Sequence, residues 1–269
     1  MLNNFIVQIY EVQDPIEAKL LLDMGVNHIG SVILSEHKWK DPLIKETIHM
    51  VQASKAKSSL IPLFSNNEII MRALDYYQPD IVHFCEDISH AKNPYDSIND
   101  LILNQKKVKI KFPKIKIMRS IPIARPGLAD LVPTIELAGM FEHISDYFLT
   151  DTLLVNRSDS TTKKQPVNNF VGITGLICDW NMATKLIKSS RIPVILAGGI
   201  SPDNTYEAIL QCLPSGIDSC TNTNKIDAKG RLVRFKKDPD KLKRLMNETC
   251  KAINILKSTG TQEDFLTHV

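Results

Sequence analysis

Short apolar runs alternate with longer amphipathic stretches along almost the whole chain. The runs have the length and continuity of strands buried on both faces, as in a parallel sheet. They are read as strands at residues 5–10, 28–34, 59–64, 80–84, 114–121, 147–150, 193–197 and 216–219. Between them the apolar positions fall at helical spacing. In the first such stretch Ile16, Leu20, Leu21 and Met24 share one face, Asp14-Pro15 opens it and Gly25 stops it. Further helices are read at 41–53, 67–77, around 97–104 and 131–141, from Trp180, from about Asp203, and at 239–256.

Eight strand–helix units in strict alternation predict an α/β fold, a closed parallel (β/α)8 barrel. A doubly wound open sheet would more often carry a glycine-rich turn after its first strand, and that turn here reads Glu11-Val-Gln-Asp14. A length of 269 residues fits one such barrel, and hydrophobic residues at 43% can fill its core. No linker divides the chain, which reads as a single domain over 1–269 with a flexible tail over 258–269. The longest apparent loop, 151–171, is rich in Ser, Thr, Asn and Lys and follows strand six on the face expected to be active. It reads either as a mobile lid or as simple surface disorder.

The formal net charge of +3 gives no reason to expect nucleic acid or a membrane as partner. Basic clusters at 105–111 and 234–237 read as solvated edges of elements. No run approaches the ~18 apolar residues of a membrane span, and the N-terminus lacks the pattern of a signal peptide. Cys85, Cys178, Cys212, Cys220 and Cys250 match no zinc spacing, and their odd number fits a reduced, cytoplasmic setting. No cofactor or metal is expected, and the chain is read as a monomer or homodimer.

The chemistry is most legible at 193–204. A buried-strand run breaks at Gly198-Gly199, and Pro202 and Asn204 mark the start of a helix. Two glycines let backbone N–H groups come close to a ligand, and the helix terminus adds partial positive charge. Together they suit a phosphate, and in (β/α)8 barrels such a site forms after strands seven and eight. A phosphorylated small molecule is therefore the expected ligand.

Several islands stand in order along the chain. They are 5–11 with Asp14-Pro15, Ala18 and Gly25; Gly30-Ser-Val-Ile with Lys38-Trp39 and Asp41-Pro42; and Tyr147-Phe-Leu-Thr-Asp-Thr152. The series continues through Gly172-Ile-Thr-Gly175, Cys178-Asp-Trp180, Ala197 to Asn204, Gly216-Ile-Asp218 and Lys237-Asp-Pro239. Together they resemble the phosphoribosylanthranilate isomerase family. The resemblance implies an Amadori rearrangement in tryptophan biosynthesis. An aminoaldose phosphate opens to a Schiff base, and C2 then loses a proton on the way to the ketose. That needs a general acid at the ring oxygen and a general base at C2, with no metal.

By this resemblance Asp151 matches the acid, although an N-cap or loop salt bridge is its plain alternative. Gly198, Gly199, Asp218, Cys220 and Thr221 fall at the phosphate end. Lys38 falls where the family has the arginine for the anthranilate carboxylate, and Gln8, His83, Gly172 and Gly175 fall around the substrate. Arg119 ends strand five, either as an anion contact or as a rim charge. The family's base is a cysteine in strand one, and that position is Tyr10 here. The family's next glycine is Glu11. Tyr10, Glu11 and Cys85 are therefore the candidate bases, a phenol being poorly poised unless its pKa is strongly lowered. The alternatives are a plug of the barrel mouth for Tyr10 and a small buried filler for Cys85. Three readings follow: a family-type isomerase with a substituted base; a paralogue acting on another phosphorylated sugar or heterocycle; and a non-catalytic phospho-metabolite binder.

Overall fold

A computed structural model describes residues 5–89, 94–156 and 165–259. The elements run β1 (Ile6–Ile9), α1 (Pro15–Asp23), β2 (His28–Ile33), α2 (Pro42–Gln52), β3 (Lys57–Pro62), α3 (Asn67–Tyr77), β4 (Ile81–Phe84) and α4 (Pro94–Lys111). They continue with β5 (Lys116–Ala124), α5 (Thr134–Phe141), β6 (Tyr147–Leu153), α6 (Trp180–Ser189), β7 (Val194–Leu196), α7 (Thr205–Cys212), β8 (Gly216–Ser219) and α8 (Pro239–Ser258). Each strand pairs in parallel with the next, and β1 closes on β8 with Ile6 opposite Gly216 and Gln8 opposite Asp218. The expected (β/α)8 barrel is the fold observed.

Local chemistry explains where the helices begin. Asp14, Asp41 and Asp238 precede Pro15, Pro42 and Pro239, and each aspartate accepts from a first-turn amide. Such a cap contributes about 0.5–2 kcal/mol, and proline at the first position loses nothing because its N–H would be unpaired. Asn66 and Asp179 cap α3 and α6 in the same way.

The barrel interior holds Ile6, Val32, Ile61, Ile81, Met118, Leu149 and Ile195. The outer faces of the strands carry Val7, Ile9, Phe148 and Ile217 against the helices. Both faces are thus apolar, as the continuous runs require.

Several elements differ from the sequence reading. β5 and β6 run on to Ala124 and Leu153, because their pairing continues from Met118 opposite Tyr147 to Ala124 opposite Leu153. Pro122 and Asp151 lie just past the expected strand ends, yet they sit opposite each other inside this ladder. α4 extends to Lys111, so the basic cluster at 105–111 lies on its last turns, where positive charge meets the negative end of the helix dipole. The second basic cluster belongs to an unforeseen antiparallel hairpin, β9 (Asn224–Ile226) with β10 (Leu232–Lys237). Part of the predicted loop at 151–171 and most of the tail lie outside the described residues. Among those described, no helix is long and apolar enough to cross a membrane.

Candidate active site

Every barrel strand except β5 contributes, at or just past its C-terminal end, to one cavity at that face of the barrel. One wall is apolar, built from Val32, Ile61, Leu63, Leu149, Val171 and Ile173. The other carries two carboxyls, Asp151 and Asp218, and the glycine-bearing turns after β6 and β7.

Asp151 lies within β6, half-buried, and its Oδ1 accepts from the Thr152 amide at 2.9 Å. Burial pushes its pKa up to about 7, and the Thr152 N–H only partly opposes that shift. Gly172, at φ 98°, lies so close that a Cβ there would overlap the Asp151 carboxylate. The 172–175 turn is held down from both ends. Val171 N–H donates to the Cys85 carbonyl at 2.9 Å, and Thr152 Oγ1 donates to the Leu176 carbonyl at 2.6 Å. Ile173, a β-branched residue, stands at φ 61° in this turn. That conformation costs of order 1–3 kcal/mol and places a strained residue on the cavity wall.

Asp218 corrects an expectation. It does not join the phosphate loops but lies inside the barrel, buried, with Gln8 Nε2 donating to its Oδ1 at 3.2 Å. Burial pushes its pKa up to about 8; the Gln8 hydrogen bond lowers it and the Asp151 charge raises it further. Gln8 itself lies beneath the cavity rather than in its lining.

Two of the candidate bases are held in other roles, and the third is a thiol far from ionising. The Tyr10 ring lies across Gly30, where any Cβ would collide with it. Its hydroxyl is 2.5 Å from Ser59 Oγ and 2.9 Å from His83 Nδ1, and His83 Nε2 reaches Ser120 Oγ at 2.8 Å. Burial raises the Tyr10 pKa well above the phenol range, so Tyr10 is a hydrogen-bonded plug. Burial likewise drives His83 down to about 3 and keeps it neutral. Tyr10→Phe leaves Ser59 and His83 short of a partner, with an expected cost of about 1–3 kcal/mol in urea denaturation. A base at Tyr10 would instead make that variant inactive at unchanged stability.

Glu11 keeps the left-handed backbone of a glycine position, φ 62°, and is 2% exposed. Arg234 from β10 clamps its Oε1 through Nε at 2.6 Å and Nη2 at 2.5 Å. The unforeseen hairpin therefore neutralises this carboxylate. Cys85 does line the cavity, but burial and the neighbouring carboxylates raise its pKa well above the thiol range.

At the other end, Gly198 and Gly199 take φ 85° and 72°. Ile200, Cys220, Thr221 and Asn222 complete that lining. Among the described residues, no protein group accepts from the amides of Gly199, Ile200, Thr221 or Asn222. Converging free N–H groups can seat an anion. Asn222 does not take a left-handed backbone; its Nδ2 spans the Gly199 carbonyl at 3.1 Å and the Gly175 carbonyl at 3.4 Å and ties the two turns together. Cys220 lines the cavity as a neutral thiol, its pKa raised by burial. Ser59, Ser120 and Asn222 were absent from the candidate residues, and only the position of Asn222 just after strand eight could have marked it.

Besides Gln8, two more of the expected substrate contacts are not brought to the cavity. Lys38 is exposed on the turn after β2 and lines nothing there. Arg119 lies outside the barrel wall, 1% exposed, against Glu86 and Gln105 and between the rings of Phe84 and Phe141. On β5, its alternation points it toward the helices. His83, Gly172 and Gly175 remain at or beside the cavity.

Fold and site together define a (β/α)8 barrel with two protonatable carboxyls at its C-terminal mouth. No protein-family model matches the sequence. Among curated proteins the chain is 36% identical over 124 residues to N-(5'-phosphoribosyl)anthranilate isomerase 2 of Methanosarcina mazei, a match spanning 46% of each chain and so about half that relative's length. It is 26% identical over 239 residues to the N-(5'-phosphoribosyl)anthranilate isomerase of Methanocella arvoryzae, covering 85% of this chain and 94% of that protein. The solved phosphoribosyl anthranilate isomerase of Thermotoga maritima superposes with a TM-score of 0.61 at 17% identity, over 92% of this chain and 99% of that one. Thiamine phosphate pyrophosphorylase of Pyrococcus furiosus reaches 0.57 at 15% identity, over 93% and 98%. These structural likenesses establish the fold, which hosts more than one chemistry. In sequence the chain is similar to phosphoribosylanthranilate isomerases, at 36% identity over about half of it and at 26% over most of it.

Proposed function

We propose that this protein isomerises N-(5'-phosphoribosyl)anthranilate to the corresponding 1-amino-1-deoxyribulose 5-phosphate. The observation that carries the reading is the cavity itself. A protonatable Asp151 faces an apolar wall at one end and the free amides of the β7 and β8 turns at the other. The amides suit the 5'-phosphate and the apolar wall suits the anthranilate ring. Asp151, poised near neutrality, can protonate the ring oxygen as the sugar opens. Phosphate binding supplies energy away from the reacting bonds. The cytoplasm is the proposed setting, with the protein acting as a monomer or homodimer on a phosphorylated small molecule.

The test is turnover of freshly prepared phosphoribosylanthranilate, followed by loss of its fluorescence. Steady loss proportional to protein concentration is expected. Folded protein that gives none sinks the reading. One observation favours the paralogue instead: among the described residues, no lysine or arginine lines the cavity, so the anthranilate carboxylate has no cation waiting for it. If that reading holds, the protein turns over an N-phenyl phosphoribosylamine, which lacks the ring carboxylate, at least as fast as the anthranilate.

A further inference from the structure

Isomerisation needs a second group to take the C2 proton, and most cavity groups that carry one are committed elsewhere. The Tyr10 hydroxyl and both His83 ring nitrogens are bonded within the barrel. Glu11 is clamped by Arg234. Cys85 and Cys220 are thiols kept protonated by burial. Asp218 differs from all of these. Only its Oδ1 is engaged, by Gln8, and among the described residues no protein group donates to its Oδ2.

Its place in the barrel fits the role. Ser219, Cys220, Thr221 and Asn222 follow it directly and line the same cavity, so Asp218 adjoins the end proposed for the phosphate. Asp151 stands two strands away on β6, facing the same space. The groups acting on Asp218 are Gln8 from β1, Asp151 from β6 and Lys237 from β10. Gln8 adds an independent sign. Its Oε1 is buried and has no hydrogen-bond partner, although the same amide donates to Asp218. By rotating its amide, Gln8 can donate to the carboxylate or accept from the acid, serving both forms that a base must pass through.

We infer that Asp218 is the general base of the isomerisation, a role that rests on the isomerase reading above. Asp151 gives its proton to the ring oxygen as the C1–O bond breaks and the nitrogen lone pair forms the C1=N bond. The Asp218 carboxylate takes the C2 proton, the C–H pair becomes the C1=C2 bond, and the C=N pair returns to nitrogen. Asp218 then hands its proton to C1, while Asp151 recovers one from the C2 hydroxyl as the ketone forms. Both carboxyls end as they began, and nothing external is consumed.

The experiment compares wild type with Asp218→Asn and Asp218→Ala. Binding is probed with reduced 1-(o-carboxyphenylamino)-1-deoxyribulose 5-phosphate, the compound held by a solved phosphoribosyl anthranilate isomerase. Asparagine preserves the Gln8 contact, so folding and affinity for the probe are expected to stay close to wild type. kcat is expected to fall about 10²- to 10⁴-fold. Formate, which can enter the space left by alanine, is expected to restore part of the turnover of Asp218→Ala. Asp218→Asn with kcat close to wild type overturns the assignment while leaving the isomerase reading intact. So does a loss of probe binding that parallels the loss of kcat, with no formate rescue, since that is the mark of a structural role. A wild-type protein that binds the probe but turns over no substrate overturns both.

Discussion

Asp151→Asn is expected to lower isomerase turnover about 10²- to 10⁴-fold and, at the same time, to make the folded protein more stable at pH 8. The two effects share one cause. Asp151 is raised from the ordinary 3.8 to about 7 because the fold strips water from its carboxyl. The folded state therefore keeps a proton that the unfolded chain releases. That contribution to stability is fully present below about pH 4, is lost as pH rises through 7, and levels off above it. Asparagine never ionises, so the variant escapes a penalty on the order of 2 kcal/mol once the half-buried position is allowed for. Its side-chain oxygen can still accept from the Thr152 amide. Thermal melts at pH 5 and pH 8, with kcat measured on the same preparations, check both halves. A variant that melts lower than wild type at pH 8, or that keeps its turnover, contradicts the argument.

Arg119→Met is expected to cost about 3–5 kcal/mol of stability without reaching the cavity. The guanidinium is almost fully buried, with Nη1 on Glu86 Oε2 at 2.7 Å and with Nε and Nη2 on Gln105 Oε1 at 3.0 and 2.8 Å. It links β5, α4 and the turn after β4, and lies near the Phe84 and Phe141 rings. Methionine fills much of the volume but leaves Glu86 a buried charge without its counter-ion. Adding Glu86→Gln is expected to recover part of the loss. Urea midpoints measure the stability, and KM for the isomerase substrate tests the location. An unchanged midpoint with a KM raised more than tenfold would return Arg119 to the substrate.

These two residues show what could be seen along the chain and what could not. Asp151 was marked by the family resemblance, and the structure puts it at the cavity. Arg119 was marked by an apt place at the end of a strand, and the structure puts it on the opposite face of the sheet. A shift of one position along a strand reverses the side chain's face. The end of β5 was placed too early, because pairing with β6 carries the ladder past Pro122. The β9–β10 hairpin was missed because β9 has only three residues, too few to show an alternating pattern, and with it went the Arg234 clamp on Glu11.

The sequence alone determined the eightfold alternation, the Asp-Pro helix starts and the glycine turn after β7. Each depends on residues within a few positions of one another, through periodicity, capping or backbone freedom. The roles of the titratable groups were decided by folding. Tyr10 meets His83 across a separation of 73 positions and Gln8 meets Asp218 across 210. Whether a phenol becomes a plug, or a carboxyl keeps its proton near neutrality, depends on what barrel closure places beside it and on how much water is excluded there.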